Sequence, residues 1–278
     1  MSAPAHGART RFTSVVSVPD EGIDLAEAAL LVAAEEYPQL AIEPYLRRLD
    51  VLAERAHDRL ANESAPLIVL QELTRVLFQE EGLRGNEGAY YDPRNSFLND
   101  VLDRKLGIPI SLGIVVLEVG RRLGLPLEGV GFPGHFLVRY RGEAMSLLID
   151  PFDAGRIRFE DQAQQMLDRV YGGMVRVKPE FLGAVGRREI VERLLRNLKG
   201  IYLNAKEDRR ALGIIELLLV LRPEARQEVR DRGIMLARIG RYDEAIEQLE
   251  LYLDRAPGAT DASRVRDYIL RLSEAFGR

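Results

Sequence analysis

The chain has 278 residues, 46% of them hydrophobic and 29% charged, with a net charge of −4 and no cysteine. That length predicts about two domains with ample apolar material for a core. Zero cysteine excludes disulfides, thiolate catalysis and cysteine-based metal sites. The mildly acidic balance, without a long basic run, argues against nucleic-acid binding.

No apolar run approaches the ~20 residues needed to cross a bilayer. Residues 1–20 lack the apolar centre of a signal peptide and read as a flexible tail, with Val15 to Val18 a first packed segment. A cytoplasmic protein without membrane association is expected. Residues 21–80 then read as a helical subdomain. Asp24 caps a helix, with Glu27 at the third position after it. Pro44 and Pro66 open two more helices, the second of which reaches Gln79. His57 lies on a charged helix surface. Glu81 to Arg94 is a loop rich in Gly, Asn and Tyr, and Asn95 or Ser96 can cap a helix that Gly107 stops.

The organising stretch runs from Gly107 to Asp153. Ile110 to Leu123 is apolar at nearly every turn, which predicts a mostly buried helix closed by Gly124, with Pro126 beyond. Phe136 to Tyr140 and Ser146 to Ile149 read as two strands around Arg141-Gly142-Glu143-Ala144. With Gly142-Glu143 as central turn residues, Phe136 faces Ile149, Leu137 faces Leu148 and His135 faces Asp150. That register puts a histidine beside a carboxylate, and a one-residue slip would separate them. Ser111 is the hydroxyl of the helix's first turn. It reads either as a capping serine or as a nucleophile beside the positive end of the helix, with His135 as base and Asp150 as orienter. His135 and Asp150 read equally as a structural pair closing the hairpin.

Asn95-Ser96-Phe97-Leu98-Asn99-Asp100, Gly107-Ile108-Pro109-Ile110-Ser111-Leu112, Gly131-Phe132-Pro133-Gly134-His135-Phe136 and Ile149-Asp150-Pro151-Phe152 resemble the bacterial SirB-type branch of the transglutaminase-like superfamily. The resemblance spans roughly residues 20–275. It implies a papain-like α+β core over 81–178 with a small antiparallel sheet, and an association with regulation. His135 and Asp150 match the superfamily's His and Asp. Its Cys would fall near Pro109 to Ser111 and is missing.

From Arg187 the pattern becomes purely helical, and Tyr202 and Leu236, Ala211 and Ala245, Ile215 and Leu249, and Pro223 and Pro257 recur 34 residues apart. That period resembles tetratricopeptide repeats, expected over 187–278. The fold class is therefore α+β, with a helical N-terminal part, a transglutaminase-like core and helical repeats. Three functions compete. One is a protein- or peptide-binding regulatory protein that has lost its catalytic Cys, through the cleft or the repeats. Another is a serine-dependent hydrolase or acyl transferase acting on a peptide or amide through Ser111, His135 and Asp150. The third is a scaffold whose repeats alone carry function. No cofactor and no metal is expected, because His135 and Asp150 lack a third ligand. The sequence sets no oligomeric state.

Overall fold

The computed structural model describes residues 3–60, 65–142 and 146–276. The chain divides into two compact units, Met1–Leu194 and Leu195–Arg278.

The first unit opens with helix α1, Ala3–Val16. The flexible tail expected over residues 1–20 is thus largely helix. The physical reason is that Phe12 and Val16 are buried, and that Arg9 and Arg11 pair with Glu35 and Glu27. Four further helices follow: α2 (Leu25–Ala33), α3 (Ile42–Leu60), α4 (Pro66–Thr74) and α5 (Leu98–Arg104). Asp24 caps α2 by accepting from the Glu27 backbone N–H at 2.9 Å. A π-helical turn, Arg75–Glu80, prolongs α4. Ahead of α5, Asn95 closes a 3-10 turn and Phe97 takes the N-cap place expected for Asn95 or Ser96. Lys105, in the left-handed region at φ 61°, stops α5 two residues before Gly107. Strands β1 (Arg84–Gly85) and β2 (Leu106–Gly107) then form a short parallel clip.

Helix α6, Pro109–Arg122, is the unit's axis, with every residue from Pro109 to Gly120 buried. Five strands lie beside it in an all-antiparallel sheet. They are β3 (Leu127–Val130), β4 (Leu137–Arg141), β5 (Ser146–Asp150), β6 (Arg156–Phe159) and β7 (Ala184–Val185), in the order β6-β5-β4-β3-β7. Gly113 allows the close approach of sheet and helix, since a Cβ there would stand 2.5 Å from the Phe136 ring. The opposite face of the sheet packs Val130, Leu137 and Leu148 with Ala163, Met166 and Leu167 of α7 (Ala163–Tyr171).

The hairpin register differs from the expected one. Val138 pairs with Ile149, Arg139 with Leu148 and Arg141 with Ser146, a shift of two residues. β4 runs on to Arg141, so residues 142–145 connect the strands; Glu143 and Ala144 of the expected turn lie outside the described residues. Because side chains alternate faces with period two, an even shift leaves each one on its expected face.

Helix α8, Arg187–Asn204, begins in the first unit. Its start is anchored by Asp20, whose carboxylate accepts from the backbone N–H groups of Arg187 and Arg188 at 2.8 Å each. Such a carboxylate satisfies otherwise orphaned donors and complements the helix dipole. Buried Glu118 of α6 meets Arg187 at 2.8 Å, along with Arg121 and Arg122.

The second unit holds the rest of α8 and α9 (Asp208–Leu221), α10 (Arg226–Arg238), α11 (Tyr242–Arg255) and α12 (Ala262–Phe276). The repeat-related residues Ala211, Ala245, Ile215, Leu249, Tyr202 and Leu236 are all buried. The 34-residue period therefore marks the inner faces of stacked helix pairs.

Candidate functional site

Two backbone devices build the site. Phe132-Pro133-Gly134-His135 is a tight turn closed by the His135 N–H on the Phe132 carbonyl at 3.0 Å, with Gly134 at φ 67°. This turn delivers His135 just ahead of β4. Asp150 is the last residue of β5, and its Oδ1 accepts from the backbone N–H groups of Phe152 and Asp153, each at 3.1 Å. His135 lies outside the strand ladder, so the sequence-based pairing of 135 with 150 in register does not occur. The side chains meet all the same, with His135 Nε2 2.7 Å from Asp150 Oδ1.

Both groups are largely buried, with side-chain exposures of 15% and 6%. Burial by itself pushes the Asp150 carboxyl up. The hydrogen bond and charge of His135 and the two backbone N–H groups outweigh it, so the carboxyl sits below its ordinary range. An ionised carboxylate only accepts hydrogen bonds, so Nε2 is the donor in this contact. The imidazole is thereby oriented as in a base–orienter pair.

Ser111 is placed otherwise. It is 1% exposed, its hydroxyl donates to the Asn95 carbonyl at 2.6 Å, and its oxygen accepts from the Ile108 N–H at 3.1 Å. It fastens the first turn of α6 to the turn before α5, as a capping serine does. No hydrogen bond joins it to His135, and it does not line the cavity beside the pair. The structure thus brings two of the three expected residues together and sets the third apart.

That cavity, of about 290 Å³, is lined by His135, Asp150, Phe152, Arg158, Met166 and others. An aromatic chain runs to it from the loop that precedes α5. Tyr91 stands against Tyr90, Tyr90 against Phe152 and Phe152 against His135, each edge-to-face with centroids 5.3–6.0 Å apart. Gly85 lets Phe152 lie on β1, where a Cβ would stand 2.6 Å from the ring. Arg193 of α8 donates to the carbonyls of His135 and Phe132 at 2.5 and 3.2 Å, bracing the turn that carries the histidine. Burial holds the Arg193 pKa below its ordinary value. Sequence reasoning missed Arg193, Arg156 and Arg158. For the last two the available signal was the alternation Arg156-Ile157-Arg158-Phe159, which places both arginines on one strand face.

Residues 43–196 match the family described as "Transglutaminase-like superfamily", and residues 198–269 match a tetratricopeptide repeat. A "UPF0162 protein" of Xylella fastidiosa (strain 9a5c) is 37% identical over 265 residues, covering 94% of each chain. "Protein SirB1" of Salmonella typhimurium is 27% identical over 235 residues, covering 84% of this chain and 86% of its own. The chain belongs to the SirB-type branch of the transglutaminase-like superfamily. A further "UPF0162 protein", of Vibrio cholerae, is 30% identical over 255 residues, covering 91% of this chain and 94% of its own. No solved structure gives a significant match.

Within this SirB-type chain His135 and Asp150 are in contact, and the chain has no thiol to serve with them. Among the described residues, no helix is long and apolar enough to cross a membrane. The repeat region is of a kind that generally mediates protein–protein interaction.

Proposed function

We propose that this protein is a regulatory protein- or peptide-binding protein of the cytoplasm, which uses the His135–Asp150 cleft for recognition rather than for thiol chemistry. The observation that carries this reading is the bond from Ser111 Oγ to the Asn95 carbonyl. A serine nucleophile needs its hydroxyl within reach of the base, and this one is spent on the backbone. The tight pair, the aromatic approach through Tyr91 and the repeat region support a binding role. The serine hydrolase alternative would require α6 to surrender its cap.

The test joins two measurements on the full chain. Photo-crosslinking residues are placed at Phe152 and at Leu270, which is 59% exposed on α12, with Val51, 49% exposed on α3, as control. Discrete adducts at either of the first two positions, absent at Val51, are expected. A serine-reactive fluorophosphonate should label the native chain no more than Ser111→Ala. Stoichiometric labelling abolished by both Ser111→Ala and His135→Ala would replace this reading with the hydrolase.

A further inference from the structure

The cavity beside His135 contains two arginines that the His–Asp pair does not use. Both come from β6, where Arg156 stands opposite Asp150 and Arg158 opposite Leu148, on the same sheet face. The Arg158 side chain is only 9% exposed. Its Nη2 donates to Asp153 Oδ2 at 2.6 Å, while its Nε is buried and meets no acceptor. A guanidinium is always charged and presents five N–H donors in a planar fork. Native structures rarely bury such donors without an acceptor, because each one so buried costs free energy.

Of the three carboxylates in the lining, two are already engaged. Asp153 serves both arginines, since Arg156 reaches the same oxygen at 3.3 Å. Asp150 is committed to His135 and to two backbone N–H groups. Glu87, the remaining carboxylate of the lining, is exposed. Phe132, Phe152 and Met166 supply apolar walls, and about 290 Å³ suits a chain end or a single side chain.

We infer that this cavity is a carboxylate subsite. Arg158, assisted by Arg156, takes the carboxylate of a bound peptide, whether its C-terminus or an Asp or Glu side chain, and seats it beside His135. The inference rests on the peptide-binding reading above and names what that cleft selects. Arg158 is suited to the task because its fork matches a carboxylate and is already held in place by Asp153.

Nuclear magnetic resonance on the isotope-labelled full chain tests this with three probes. They are N-acetyl-trialanine, its C-terminal amide, and the amide of N-acetyl-Ala-Glu-Ala. Shifts of the Arg156 and Arg158 side-chain N–H signals and of the His135 ring are followed. The free acid should bind about tenfold or more tighter than its amide. Tight binding of the Glu-containing amide as well would extend the site to acidic side chains. Arg158→Gln should erase the preference, and Arg158→Lys, which keeps charge without the fork, should restore only part of it. The comparison of acid with amide on the native chain decides the matter even if these variants fold poorly. Equal shifts from all three probes would overturn the carboxylate subsite and leave the peptide-binding reading intact. Silence from all three probes would also overturn the subsite. The reading of the cleft would fall with it only if crosslinking at Phe152 were silent too.

Discussion

Ser111 Oγ and the carbonyl oxygen of Asn95 are 2.6 Å apart, and this contact joins the start of α6 to the turn before α5 across sixteen positions of sequence. It uses the hydroxyl's single proton and satisfies a buried acceptor. Ser111→Ala should therefore cost about 1–2 kcal/mol, the combined loss of a cap and of a partner for a buried carbonyl. Urea unfolding measures it. An unchanged midpoint would show that the hydroxyl is not anchoring the helix.

Asp150 predicts an acid-dependent stability with a defined sign. Its folded pKa lies below the ordinary value, so it stabilises the fold above the unfolded value of about 3.9. That contribution disappears as pH falls through the lower, folded value. Asp150→Asn should be less stable than the native chain at neutral pH by about 1–3 kcal/mol. The difference between the two should shrink on acidification below about pH 4. Chemical unfolding at a series of pH values gives the difference curve, and a constant gap down to pH 2 would contradict the assignment.

The His–Asp contact was legible in the sequence, although the register argued for it was not the observed one. A two-residue shift preserves side-chain faces, so Asp150 keeps its side of the sheet even though the register differs. α6 and the 34-residue repeat were legible because each follows a single apolar periodicity over a long span. β6 was not, since Arg156 and Arg158 give the segment a polar appearance although Arg158 is buried. Arg193 was also hidden, because its bonds to Phe132 and His135 cross about sixty positions and leave no local pattern. The two roles open to Ser111 differ only in where its oxygen points, which spacing does not encode. The α1 helix was missed because its exposed positions are polar and its burial rests chiefly on Phe12 and Val16.

Glu118 is fully buried on α6 and meets Arg121, Arg122 and Arg187. Burial pushes its carboxyl up, but hydrogen bonds from Arg187 and Arg121 prevail and hold it below its ordinary range. Removing the charge leaves Arg187 and Arg122, both mostly covered, without their common partner. Glu118→Gln should cost about 3 kcal/mol, the lower end for breaking a buried pair, because Arg121 stays half in solvent. Denaturant unfolding reads the loss. A variant as stable as the native chain would mean that the arginines find other partners.

Gly85 offers a way to disturb His135 without touching its bond to Asp150. A Cβ at Gly85 would stand 2.6 Å from Phe152 Cδ2 and Cε2, well inside van der Waals contact. Phe152 cannot yield freely, because its ring is wedged edge-to-face between Tyr90 and His135, with centroids 6.0 Å away on either side. Gly85→Ala should therefore displace the ring and cost about 1–3 kcal/mol, the usual cost of overpacking. The ring-current shift on the His135 carbon-bound protons should change as Phe152 moves. Gly88→Ala is the matched control, since a Cβ there meets nothing within 4 Å. It should stay within about 0.5 kcal/mol of the native chain. A double-mutant cycle isolates the cause. On a Phe152→Ala background the obstructing ring is gone, so Gly85→Ala should be almost free, giving a coupling of about 1 kcal/mol or more. If Gly85→Ala costs the same with and without the ring, the loss comes from the β1–β2 clip itself, and Gly85 has no part in holding Phe152 against the histidine.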